Sequence, residues 1–180
     1  QQLKIYLKKE IDSTGITGLL EDTRSSLNIV KDGVFVNKGT TQTQRNLSVS
    51  FAILTELRAR MIAQKNRLDT YANDLVSFRD RIDSLASDTA IYTLPLDSLA
   101  IVKYLQRISA VAYSLREPDS QLNKSINIVL DLKAKVDLMI YELNSSMEDV
   151  ELLRKELSDK NFSREFTNIW GPVGFSRPLK

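Results

Sequence analysis

The chain has 180 residues, a formal net charge of +2, and neither cysteine nor histidine. Its length and its apolar fraction of 42% suffice for one ordinary domain with a core. The interleaved charge argues against a dedicated nucleic-acid binder, and the missing residue types exclude thiol nucleophiles, Ser–His–Asp triads, thiolate metal sites and imidazole bases.

Six Gly and four Pro leave most of the chain free to be helical. A first helix is expected from Gln2 to about Lys31, with Leu3, Leu7 and Ile11 on one face and Ile16, Leu20, Thr23, Leu27 and Val30 continuing it. Gly15 and Gly18 predict a break near Asp12, with Ser13 or Thr14 capping the restart. Lys4, Lys8 and Lys9 read as a solvated face. Asp32-Gly33 and Asn37-Lys38-Gly39 are turn residues around Val34-Phe35-Val36, a trio expected to fold over the end of a bundle.

A second helix is expected from Thr41, where Thr41-x-x-Gln44 matches a capping box, to Ser87-Asp88. About 46 residues at 1.5 Å each span roughly 70 Å, so an elongated molecule is expected. A heptad ladder runs down this segment through Leu47, Leu54, Met61, Leu68, Leu75 and Ile82, joined by Leu57, Tyr71, Phe78 and Leu85. Arg79-Asp80-Arg81-Ile82-Asp83 alternates charge beside it, which predicts pairing within the helix.

Thr89–Pro95 reads as a loop, followed by a third helix from about Leu96 to Leu115 with a seam of Ile101, Leu105, Ile108, Ala112 and Leu115. Glu117-Pro118-Asp119-Ser120 is expected to end it, with Pro118 in the first turn of a fourth helix that reaches Asp159. That helix carries a second ladder, Leu122, Val129, Val136, Leu143, Val150 and Leu157, with Ile126, Ile140 and Met147 beside it. Leu132, Met139 and Leu153 add a third apolar row, which suits a helix touching two neighbours. The fold class predicted is all-α: an elongated antiparallel bundle of about four helices with coiled-coil-like stretches, over residues 1–160. Residues 161–180 are expected to form an irregular tail, since Gly171, Pro172, Gly174 and Pro178 forbid regular structure there.

Arg58, Lys65, Lys133 and Arg154 fall in the seams and are expected at their edges with packed stems. Met61, Met139 and Met147 read as core filler. Glu148, Asp149, Glu151 and Glu156 read as a solvated face with a Glu151–Lys155 pair, because no two acids are isolated in an apolar surround. Asn46, Asn123, Asn144 and Asn161 open Asn-x-Ser sequences, but their helical settings do not indicate glycosylated loops. No catalytic, cofactor-binding or metal-binding residue is predicted, no cofactor is expected, and an enzyme is the least favoured class.

The tail holds the one Trp of the chain, Trp170, with Phe175 and Arg177, a juxtamembrane-like composition. The chain starts Gln1-Gln2, as expected of a mature product or an excised domain, and no stretch approaches the ~20 apolar residues of a spanning helix. Arg45-Asn46-Leu47-Ser48-Val49-Ser50, then Leu68-Asp69-Thr70-Tyr71-Ala72-Asn73-Asp74-Leu75, then Phe78-Arg79-Asp80-Arg81-Ile82-Asp83-Ser84-Leu85, Asp88 and Leu94-Pro95-Leu96-Asp97-Ser98 form a series. It is similar to the helical extracytoplasmic N-terminal region of larger members of the small-conductance mechanosensitive channel superfamily. The similarity covers about residues 20–160.

That resemblance implies a periplasmic domain preceding membrane helices, membrane-proximal at its C-terminal end, with neighbouring chains of the same protein as partners and no nucleic acid. The Gly/Ala-rich pore helix and soluble β-domain that mark the family are not in this sequence. No functional residue is therefore carried over, and ion conduction would belong to the full-length protein. Two other readings stay open. One is the ligand-sensing bundle of a receptor or sensor kinase, with Gln64-Lys65-Asn66 as its candidate polar break; the other is a coiled-coil adaptor or tether that docks partner helices.

Overall fold

The computed structural model describes residues 11–36, 43–88, 93 and 98–170, with the backbone alone described at 36, 98, 99 and 163–170. Three α-helices account for nearly all of these: α1 (Ser13–Lys31), α2 (Gln44–Ala86) and α3 (Ser98–Trp170). A single π-helical turn, Asp32–Val36, continues α1. The described residues contain no strand.

Local chemistry sets the helix starts, one residue or two away from where the sequence patterns place them. At α1 the cap is Asp12 rather than Ser13 or Thr14. Its Oδ1 accepts from Gly15 N (2.8 Å) and from Thr14 Oγ1 (3.0 Å), and its carbonyl accepts the first helical bond from Ile16 N (3.0 Å). At α2 the cap is Thr43, whose Oγ1 accepts from Asn46 N at 3.2 Å while its carbonyl accepts from Leu47 N. Thr41 lies outside the described residues, and Gln44 does not close a capping box: its Nε2 donates to the Arg154 carbonyl of α3 at 3.4 Å. The other end of α2 falls at the expected Ser87, whose N and Oγ both donate to Asp83 O.

The predicted third and fourth helices are one. Helix α3 passes through Pro118, which is buried within it. An interior proline deletes one backbone donor, here the one that would serve the Ser114 carbonyl, and crowds that carbonyl, costing about 3 kcal/mol. Burying the proline ring and the whole of Leu122 one turn on offsets that cost. Sequence rules weigh Pro118 locally and cannot see that burial. The described residues thus form three α-helices, not four, and α3 runs to Trp170, past the Lys160 at which regular structure is expected to fade.

The helices contribute to two compact units. The first comprises Gln1–Asp22 and Met61–Met139. Its core is Met61, Leu68 and Leu75 from α2, Leu122, Val129, Leu132, Val136 and Met139 from α3, and Ile16 and Leu20 from α1. Here α2 and α3 run antiparallel: Lys65 meets Asp137, and Asp69, one turn further along α2, meets Lys133, one turn earlier on α3. The second unit comprises Thr23–Arg60 and Ile140–Lys180. It buries Leu27, Val30 and Val34 with Leu47, Leu54 and Leu57 and with Leu143 and Val150. Thr23 and Ser146 are buried polar residues; Ser146 Oγ turns back to donate to Glu142 O (2.9 Å). Arg24 crosses to Glu142 at 3.2 Å, and the Arg154 guanidinium lies 5.7 Å from the centre of the Phe51 ring.

Both heptad ladders are core over most of their length, and Leu132 and Met139 of the third row with them. The exceptions are Ile82, Leu153 and Leu157, which are half-buried, Leu85, which is exposed, and the flanking positions Tyr71, Phe78, Ile126, Ile140 and Met147, which are half-buried along the length of the ladders.

Two positions test the balance of local and tertiary terms. Pro118→Ala restores a donor to the Ser114 carbonyl and loses only part of the ring's burial, so urea unfolding is expected to show a gain of about 1–2 kcal/mol. Gly18 has open space where a Cβ would sit, whereas a Cβ at Gly15 would run into the Asp12 carboxylate. Gly18→Ala should therefore stabilise by about 0.5–1 kcal/mol, and Gly15→Ala should displace the cap and lose about 1 kcal/mol.

Candidate functional site

A site built on these helices would use the polar groups along their seams. Lys65 and Asp69 stand one helical turn apart on α2; Lys133 and Asp137 stand one turn apart on α3. Set antiparallel, the two Lys-x-x-x-Asp pairs complement each other. Lys65 Nζ lies 2.6 Å from Asp137 Oδ1, and Lys133 Nζ lies 2.5 Å from Asp69 Oδ1. The second contact is an ion pair without hydrogen-bond geometry, since Asp69 Oδ1 has no hydrogen-bond partner. All four side chains are half-buried, as edge positions with packed stems should be. The hydrogen bond to Asp137, then its charge, raise the Lys65 pKa above 10.5, with Asp69 adding to the effect. Lys65 is thus engaged in holding α2 against α3.

Arg58 and Arg154, the other two seam cations, are half-buried, and each has a buried Nε with no hydrogen-bond partner. The three methionines fall where core filler would: Met61 and Met139 buried, Met147 half-buried. Arg79 pairs with Asp83 at 3.9 Å and Arg81 stacks over Phe78, so the alternating run is paired within its helix in part; Asp80 joins no ion pair among the described residues. The Glu151–Lys155 pair does not form, and Glu148, Asp149, Glu151 and Glu156 are all exposed to solvent. The four Asn-x-Ser asparagines lie within helices. Among the described residues, no cluster of three or more acids is placed to hold a metal ion, and no helix is long and apolar enough to cross a membrane. The side chain of Trp170 and the residues after it lie outside the description.

What sequence reasoning missed is a groove in the first unit. The last turn of α2 (Ile82, Leu85, Ala86) and one face of α3 (Tyr104, Ile108, Val111, Ala112, Leu115) flank about 740 Å³. Arg107, Arg116 and Asp119 are the charged residues that line it. Spacings of three and four residues give α3 a continuous apolar row there. The wall is thin. Leu105 and Val111 are more than half exposed, and the outer side of the same segment shows Val102 and Tyr113. A helix with apolar residues on so many sides is normally covered on more than one face. A signal for this is present in the sequence: the seam from Ile101 to Leu115 is flanked by a second apolar face at Val102 and Tyr113.

Reversing one partner of the Lys–Asp set is expected to reveal its role. Lys133→Asp should lose about 1 kcal/mol, and the double change Lys133→Asp with Asp69→Lys should recover most of it. Lys65 supplies a pH test. Because its pKa is higher folded than unfolded, its contribution is whole below pH 10.5 and is lost as the pH rises through the folded value. Urea unfolding followed across the alkaline range should show a loss of stability in the wild type that is smaller in Lys65→Met.

No family model, no curated protein and no solved structure matches the chain.

Proposed function

We propose that the chain is an extracytoplasmic helical domain of a membrane protein of the mechanosensitive channel class, acting as a spacer and interaction module that modulates gating. The observation that carries this reading is how the polar side chains are used. Where Lys and Asp interrupt the apolar seams they fasten helix to helix, as in Lys65–Asp137 and Lys133–Asp69. Such groups fix spacing and register, and they leave the surface free for contact with other chains. The series from Arg45 to Ser98 that is similar to the channel region supports the same reading, as does the juxtamembrane-like composition around Trp170. The domain lies on the periplasmic face of a bacterial membrane, with neighbouring copies of the same protein beside it.

An adaptor that docks partner helices is the second reading, and the open groove beside Ile82 and Ile108 favours it.

Reading the coding sequence beyond the codon for Lys180 separates the two. Spanning helices that include a Gly/Ala-rich pore helix are expected. Their absence would overturn the channel assignment and leave the adaptor. Where they are present, removing residues 11–170 from the full-length protein should shift the membrane tension at which currents open in patch recordings.

A further inference from the structure

Charge is segregated along α3. From Ser98 to Arg116 there are three cations, Lys103, Arg107 and Arg116, and no acid. From Glu148 to Asp159 there are five acids and two bases, a net of −3. The basic stretch carries most of the α3 wall of the apolar groove of the first unit, whose lining includes Arg107 and Arg116 and, just past the stretch, a single acid, Asp119. The acidic stretch, in the second unit, carries an exposed stripe: Tyr141 and Leu152, three helical turns apart, are 71% and 61% exposed. Glu148 and Glu156 flank Leu152 on either side, both exposed. Among the described residues, Arg107, Arg116, Glu148 and Glu156 form no ion pair within the chain.

The two charge pairs are opposite in sign and similarly spaced along their helix. Arg107 and Arg116 are nine residues apart, about 13.5 Å along the helix; Glu148 and Glu156 are eight apart, about 12 Å. The midpoint of the first pair falls at Val111–Ala112 in the groove, and the midpoint of the second falls at Leu152.

We propose that the groove between α2 and α3 receives the Tyr141–Glu156 stripe of a second copy of this chain, with Leu152 seated over Val111 and Ala112 and Glu148 and Glu156 paired with Arg107 and Arg116. Groove and stripe are both open to solvent in the single chain, so the pairing joins different copies. Each copy carries one of each surface, which makes the contact heterologous: it propagates head to tail and ends only in a closed ring or an open chain. Helix-in-groove docking supplies the apolar contact, and the charge pairs set the register. The pairing requires no membrane.

Sedimentation velocity on the 180-residue chain tests it. At about 0.01 M ionic strength, where charges are screened over roughly 30 Å, mass above that of a monomer is expected, rising with protein concentration; at about 1 M salt, where screening acts within about 3 Å, it should fall back. Arg107→Gln with Arg116→Gln removes the groove's cations, and Glu148→Gln with Glu156→Gln removes the stripe's acids. Each double variant alone should stay monomeric with unchanged helical circular dichroism. Mixed in equal amounts, the two should stop at twice the monomer mass, because one intact groove then meets one intact stripe. A wild-type chain that is monomeric at about millimolar concentration in low salt overturns the proposal, since electrostatic contacts are strongest there. So does association that survives in both variants. Binding to vesicles of anionic phospholipid that is lost in the arginine variant, with the wild type monomeric, would assign the basic face to a membrane surface instead.

Discussion

Everything in this bundle depends on one constraint: a continuous apolar seam must stay on one side of each helix for many turns. Leu47, Leu54, Met61, Leu68 and Leu75 do this on α2, and Leu122, Val129, Val136, Leu143 and Val150 on α3, all of them shut off from solvent. Each buried aliphatic side chain of this kind contributes about 1.5–3 kcal/mol of transfer free energy. That term is large beside a surface ion pair and beside a helix cap. It explains why Pro118 is accepted inside α3. A proline's local cost is comparable to the burial of one leucine, and Leu122 stands only four residues beyond it.

The polar groups in the seam decide something else. An apolar stack tolerates sliding, because Leu against Val differs little from Leu against Leu. Two Lys-x-x-x-Asp pairs set antiparallel do not tolerate it: moving α2 by one turn against α3 would place Lys65 beside Lys133. Their net worth in free energy is small, yet they separate the correct alignment from its neighbours. The second unit has its own cross-links, Arg24 to Glu142 and Gln44 to the Arg154 carbonyl. Specificity of alignment is therefore distributed along α3 and does not reside in one site.

Much of this is legible in the sequence because it is periodic. The ladders, the edge positions of Lys65 and Lys133, and the end of α2 at Ser87 follow from spacing and turn chemistry alone. The helix starts are less legible. Asp12 and Thr43 compete with Ser13, Thr14 and Thr41 for the same role, and only backbone geometry decides among neighbouring cappers. The number of helices is misjudged from sequence because a proline's effect depends on what lies behind it. The groove escapes for a related reason: Ile101, Leu105 and Ile108 form a seam in the sequence whether or not anything covers them, and coverage is a property of the packed chain.

The division into two units also has a consequence for how the chain comes apart. Its limits fall at Asp22–Thr23, Arg60–Met61 and Met139–Ile140, and each of these lies inside a helix: α1, α2 and α3 in turn. Neither unit is a contiguous length of sequence, so neither can be cut out of the gene as one piece. Melting one unit while keeping the other would require three new helix ends, each leaving up to four backbone groups without helical partners and without the capping residues that natural ends carry. Helix continuity therefore penalises the half-unfolded molecule against both the folded and the fully unfolded chain.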